Sequence, residues 1–377
     1  MMTGFFSVVQ GVAGRGRAGL ALLRGVQMTD LRLLLMLAML ILLAPGMTVA
    51  AGQTGFDEED AAELVWPPKP LPPRIRYVGS IAGPDDVESE EGKGFWQRFW
   101  EAIHGAEQEN QIKPMALAVD SKGRLGVADP AGKRVHIYDQ RKGEYSVIDE
   151  ADVPLSLPIG LAVDAKDNLY VSDGELRKIA VFSPKGDYIR SIGGPGQLKR
   201  PTSISLDPSR RLLYVVDTPA HNVKVFNLIN GALIRTIGER GREDGEFNFP
   251  TYSAVDNTGR LYINDTLNGR IQMFDPAGNF IGKFGKYGDG SGDFSTPKGV
   301  AVDSDGNIYV ADAGFDNLQI FDDQGRLLLF LGVTGQAPGE FWMPAGLYID
   351  GHDRLYVADS YNRRIQIFQY LKAGEKQ

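Results

Sequence analysis

Apolar residues along this chain come in short runs separated by polar turns, with no long helical stripe through the central part. The stretch from Pro158 shows the pattern. Gly160–Asp164 (GLAVD) is followed by the turn AKDN, by Leu169–Asp173 (LYVSD), and by a loop through Arg177. Lys178–Phe182 (KIAVF), the turn SPKG and the alternating run Asp187–Ile192 complete the unit. Runs this short, bounded by Pro, Gly, Asp and Asn, predict four strands, a to d, in an antiparallel meander. Strand a is small and apolar and suits a crowded centre; strand d is half polar and suits a solvated rim.

The unit recurs. Its clearest copies are Pro297–Phe321, PKGVAVDSDGNIYVADAGFDNLQIF, and Pro344–Phe368, PAGLYIDGHDRLYVADSYNRRIQIF. Earlier copies start at Pro250, Pro201, Pro158 and Pro114, and the spacings are 44, 43, 49, 47 and 47 residues. Six such units at this period predict one all-β domain, a six-bladed β-propeller of four-stranded antiparallel blades. The last copy has no convincing strand d, because only QYLKAGEKQ follows Phe368. Arg74–Ile81 (RIRYVGSI) reads like the d strands YIRSIG, LIRTIG and FIGKFG. It is expected to pair with the last blade, close the ring and remove an exposed sheet edge.

Gly245-Glu-Phe247 before Pro250, Gly292-Asp-Phe294 before Pro297 and Gly339-Glu-Phe341 before Pro344 form a G-x-F-x-x-P pattern. Together with the VAD and N-x-x-I-x-x-F elements, the chain from about 74 to 370 resembles the NHL-repeat family of six-bladed propellers, of a secreted or membrane-anchored bacterial type. Blades 4 to 6 match well. Blade 1 departs with LGVAD for LYVAD, and blade 3 carries an extra residue at Arg210–Arg211. The resemblance implies a fold and no single activity, since members bind proteins, RNA or small ligands and a few are metal-dependent enzymes.

Outside the blades the pattern changes. Leu33–Ala44 is an unbroken apolar run after Arg15, Arg17, Arg24 and Arg32, ended by Pro45-Gly46, with small residues around Ala50-Ala51. This predicts a signal peptide or an N-terminal membrane anchor over 1–51, and hence an extracytoplasmic chain, periplasmic or secreted. A transmembrane helix over 31–51 would hold it at the inner membrane. Met28 offers an alternative start with the compact n-region MTDLR. Residues 52–73 read as an acidic, Pro-rich linker ending in WPPKPLPP, an extended spacer. Residues 82–113 read as a helical insertion. On a helical wheel, Phe95, Trp96, Phe99, Trp100 and Ile103 share an arc of about 140°, so this short amphipathic helix either caps the propeller or docks on a partner or membrane. Its acidic lead-in favours a protein over anionic lipid.

The chain carries 40 Lys+Arg against 48 Asp+Glu, and 36 against 47 without its first 50 residues. That balance argues against nucleic acid as a partner. The absence of cysteine excludes disulfides and thiol chemistry. Two aspartates recur in each copy, Asp120, Asp164, Asp207, Asp256, Asp303 and Asp350 after strand a, and Asp129, Asp173, Asp217, Asp265, Asp312 and Asp359 after strand b. A residue that every blade requires is expected to serve the blade, by accepting turn N–H groups. Phe247, Phe294 and Phe341 are likewise expected to wedge between blades. The four histidines do not pair: His221 and His352 fall on opposite faces, so a His-ligated metal is not expected. No cofactor is predicted, and calcium on Asp, Asn and carbonyl oxygens is the metal these residues would suit.

The b–c and d–a loops share one face. There the candidate ligand-binding residues are Arg134, Arg177, His221, Arg270, Asn317 and Arg363; separately, the insertion helix carries the candidate partner- or membrane-docking residues Phe95, Trp96, Phe99 and Trp100. The sequence reading is a non-enzymatic extracytoplasmic scaffold that presents this face to a protein or peptide. The alternatives are a metal-dependent (calcium or zinc) lyase or hydrolase of the propeller type, and the sensor domain of a membrane-anchored protein.

Overall fold

A computed structural model describes residues 64–87, 112–149 and 155–372. Six sheets are arranged as the repeat predicts, five of four strands and one of five, all antiparallel. Blade 5 shows the standard form: strand a is Pro297–Val302, b is Ile308–Asp312, c is Asn317–Phe321 and d is Leu327–Leu331. Its b strand is wholly buried, whereas its d strand alternates between half-buried, exposed and buried positions. A central strand covered on both sides is continuously apolar, and a rim strand is not.

The sixth sheet closes the ring. Pro344–Ile349, Arg354–Asp359 and Arg364–Tyr370 are its a, b and c strands, and Ile75–Ile81 supplies d. The register runs from Ile75 opposite Tyr370 to Ile81 opposite Ile365, with a bulge between Tyr77 and Gly79. Ile75, Tyr77 and Ile81 point inward and are buried, and Tyr77 meets Phe368 edge-on at 5.6 Å.

The expected spacer behaves differently from the prediction. Val65–Trp66 adds a fifth strand outside Ile75–Ile81, with Arg74 N donating to Trp66 O at 2.7 Å. Trp66 packs edge-on against Phe368 at 5.8 Å, and Leu64 joins the same cluster. Two apolar side chains that reach the cluster of Ile75, Tyr77 and Phe368 are enough to draw the segment onto the ring. The propeller therefore begins at about Leu64, not at Arg74.

Phe247, Phe294 and Phe341 are fully buried, each 5.6–6.0 Å from the phenylalanine that ends strand c of its neighbouring sheet. Each lies against a left-handed glycine. Gly332 has φ +89, and a Cβ there would overlap the Phe341 ring. The G-x-F motif is thus a blade wedge, as the sequence suggested. Residues 1–51 and the predicted helix with Phe95, Trp96, Phe99 and Trp100 lie outside the described residues. Within the described residues no helix is long and apolar enough to cross a membrane.

Closure by packing makes Tyr77→Ala costly. It should lower the unfolding free energy by about 3 kcal/mol, while Val78→Ala, on the exposed side of the same strand, should change it by less than about 0.5 kcal/mol. Urea unfolding of both variants measures the difference.

Candidate functional site at the channel mouth

The repeated aspartates are occupied by the backbone. Asp303 Oδ1 accepts the N–H groups of Asp305 (3.0 Å) and Asn307 (2.9 Å) in the a–b turn. Asp120, Asp164, Asp256 and Asp350 do the same in their blades. Five of the second set tie the incoming d–a loop to strand b: Asp312 accepts Ser295 N at 2.7 Å and Thr296 N at 2.8 Å, while Asp129 holds Ala131 N and Gly132 N of its b–c loop. These carboxylates hold turns and loops in place. Among the described residues no three His, Asp or Glu side chains converge in a metal-binding group.

The six candidate residues on the b–c loops sit one to a blade around the ring. Two of them are structural. Arg270 is only 6% exposed. Its Nε donates to Asp265 Oδ2 at 2.8 Å and its Nη2 to the carbonyls of Glu243 and Glu246, so it clamps the d–a loop. Gln272 completes the clamp, donating to Glu246 O and Asp265 Oδ2 and accepting Gly245 N. Arg364 and Gln366 repeat this arrangement around Asp359. His221 is also 6% exposed, with a left-handed backbone. Its Nδ1 accepts Phe249 N at 3.2 Å and its ring meets Phe249 edge-on at 4.4 Å. Loop position suggested that these two side chains face solvent; the carboxylate and the aromatic ring beside them draw them in. Arg134 is half-buried, its Nε on Gly132 O at 3.0 Å, and Asn317 is half-buried at the start of its strand. Arg177 and Arg363 are exposed on left-handed loop tips.

The structure gathers a different group where the same face meets the central channel. Blade-to-blade hydrogen bonds ring the mouth: Thr218 Oγ1 to Pro250 O (2.6 Å), Asn264 Nδ2 to Lys298 O (2.6 Å) and Ser360 Oγ to Pro114 O (2.5 Å). Tyr252 of blade 4 spans to the opposite blade and donates its hydroxyl to Met115 O at 3.3 Å. Burial pushes that phenol's pKa up. Below it lies a cavity of about 270 Å³ lined by the six a strands.

Lys298, the second residue of strand a in blade 5, sits at this mouth. Burial, with the like charge of Lys113 nearby, pushes its ammonium pKa below the ordinary lysine value. Among the described residues no carboxylate forms an ion pair with it. Lys113 lies over the Tyr361 ring, 4.8 Å from its centroid, and Tyr361 stacks obliquely on Trp342 at 5.5 Å. Tyr361 is 47% exposed and Trp342 45%. Two cations and two exposed aromatic rings are thus contiguous around the mouth. Sequence reasoning passed over all four. The available signal was a mismatch between copies: Lys298 stands where the other a strands carry Met115, Ile159, Thr202, Thr251 and Ala345. Tyr252 stands where they carry Ala116, Gly160, Ser203, Gly299 and Gly346.

Comparison with known proteins agrees with this architecture. The NHL-repeat model matches residues 341–368, and a model described as a six-bladed β-propeller matches residues 252–314. The molecule is therefore a six-bladed propeller with an NHL repeat over residues 341–368. The chain is 26% identical to the protein brain tumor of Drosophila melanogaster over 153 residues, 39% of this chain and 14% of that protein. It is 26% identical to NHL repeat-containing protein 2 of Gallus gallus over 265 residues, 60% of this chain and 34% of the relative. The chain thus spans about a third or less of these relatives' length. Virginiamycin B lyase from Staphylococcus aureus superposes with a TM-score of 0.51 at 14% identity, covering 69% of this chain and 81% of the lyase. That is a likeness of fold alone.

The division between clamping and free arginines is measurable. Arg270→Ala should cost about 3 kcal/mol of stability, since it strands a buried carboxylate. Arg177→Ala should stay within about 0.5 kcal/mol. Denaturant unfolding of the two variants checks this.

Proposed function

We propose that the chain is a non-enzymatic binding scaffold that works outside the cytoplasm and receives an acidic segment of a protein or peptide at the mouth of its central channel. The observation that carries this reading is Lys298, which has no carboxylate partner among the described residues, beside Lys113 and flanked by the exposed Tyr361–Trp342 pair. A desolvated cation without a counter-charge gains from an incoming carboxylate. Exposed Trp and Tyr next to it supply apolar area at low entropic cost, the composition of interface hot spots. The hydrogen-bonded mouth holds these groups on a rigid rim. The apolar N-terminal stretch would carry the chain across a membrane or hold it there. A metal-dependent lyase reading lacks a donor set among the described residues, and the repeated carboxylates that might serve one are committed to turns.

An Asp/Glu-rich peptide bearing one aromatic residue should bind the purified chain with an affinity that falls as salt rises. Lys298→Gln and Trp342→Ala should each weaken it about tenfold, while Lys166→Gln, in an exposed turn on the opposite face, should leave it unchanged. Binding requires the Lys298 ammonium. Its pKa is depressed, so affinity should fall with rising pH before the ordinary lysine value of 10.5 is reached. Calorimetric titration across salt and pH tests this; equal affinities for all three variants would contradict it.

A further inference from the structure

Blade 1 departs from its siblings at one buried position. Three residues before the aspartate that ends strand b stands a tyrosine in five blades, Tyr170, Tyr214, Tyr262, Tyr309 and Tyr356, and a glycine in the first, Gly126. Each tyrosine ring packs into the junction with the next blade. Four of the hydroxyls donate to the carboxylate that ends strand a of their own blade, Tyr170 to Asp164 (3.2 Å), Tyr262 to Asp256 (3.1 Å), Tyr309 to Asp303 (3.0 Å) and Tyr356 to Asp350 (3.3 Å).

Blade 1 keeps the acceptor without that donor. Asp120, 6% exposed at its side chain, takes Arg124 Nε on Oδ2 at 2.6 Å. In blade 6 the equivalent Asp350 Oδ2 accepts both Arg354 Nε and Tyr356 OH, so one such oxygen accommodates two donors. Crowding does not explain the glycine. A Cβ at 126 would lie 3.6 Å from Ala118 O and Ile137 Cδ1, which is ordinary contact, and the residue has no left-handed φ. A cavity of about 390 Å³ opens at this point between blades 1 and 2, on the face opposite the channel mouth. Ala118, Ile137 and Leu169 form its apolar walls, and Asp120, Lys185 and Tyr188 its polar ones.

We propose that this pocket binds a phenol, whose ring fills the space taken by tyrosine in the other blades and whose hydroxyl donates to Asp120 Oδ2. The fold itself shows what the pocket is shaped for: five sister junctions hold that ring, and four hold it by that hydrogen bond. The phenol is either a free small molecule or a tyrosine side chain of a peptide, and the two are separable.

The test titrates the purified full chain with p-cresol, toluene and N-acetyltyrosinamide, read by ligand-observed NMR. p-Cresol should bind saturably and about tenfold more tightly than toluene, because only it donates to the buried carboxylate. Gly126→Tyr should abolish binding and raise the melting temperature by filling the cavity, while Gly126→Ala should still bind. If Gly126→Tyr does not fold, Gly126→Leu provides the block. N-acetyltyrosinamide binding as well as p-cresol assigns a peptide tyrosine; p-cresol binding alone assigns a free phenol. No saturable binding, equal affinity for toluene, or unchanged binding in the filled variants would overturn the proposal.

Discussion

The antiparallel pairing of Ile75–Ile81 with Arg364–Tyr370 is the contact on which the rest of the geometry depends. It joins segments nearly the whole domain apart in sequence. Holding the ends of so long a loop costs on the order of 5 kcal/mol in chain entropy. Burying Ile75, Tyr77 and Ile81 contributes about 6 kcal/mol at about 2 kcal/mol each, and Trp66 and Leu64 add to that from the outer strand. The seam therefore closes with little to spare, and the channel mouth exists only while it is closed. Lys113 and Tyr361, which lie together there, belong to blade 1 and to the closing sheet itself.

Within the closed ring, the same chemistry is used again and again for the same purpose. An aspartate ends strand a and gathers the turn; another ends strand b and gathers the entering loop. Where the loop is long, as before Pro250 and Pro344, an arginine and a glutamine join that aspartate and hold the G-x-F segment over its buried phenylalanine. These groups are polar, charged and recurrent, and their hydrogen bonds go mainly to the turns and loops they hold. Function has to be sought where a blade breaks the rule.

That division explains how much was legible in the sequence. The six blades, the closing strand, the wedge phenylalanines and the turn aspartates follow from periodicity, because each copy states the same local requirement. The candidate site was legible only in outline. Arg270 and His221 occupy loop positions that read as exposed, but whether a side chain faces water depends on the loop of the preceding junction, which is remote in sequence. Lys298 and Tyr252 sit inside apolar-looking strands, and their meaning depends on what lies across the channel. Trp66 reads as part of a proline-rich spacer until the Phe368 cluster it packs on is known. In each case the missing information was what the folded chain places beside the residue. The mismatches themselves, lysine for a small or apolar residue and glycine for tyrosine, were present in the aligned copies.

The face around the channel mouth is rigid, cationic and aromatic, and the opposite face carries the turns. Site-specific photocrosslinking in cells separates the two most directly. A benzophenone side chain placed at Trp342, beside the mouth, should capture one acidic partner; the same group at His352, in an exposed turn on the other face, should not. Capture of the same partner from His352 with none from Trp342 would contradict the assignment of the binding face.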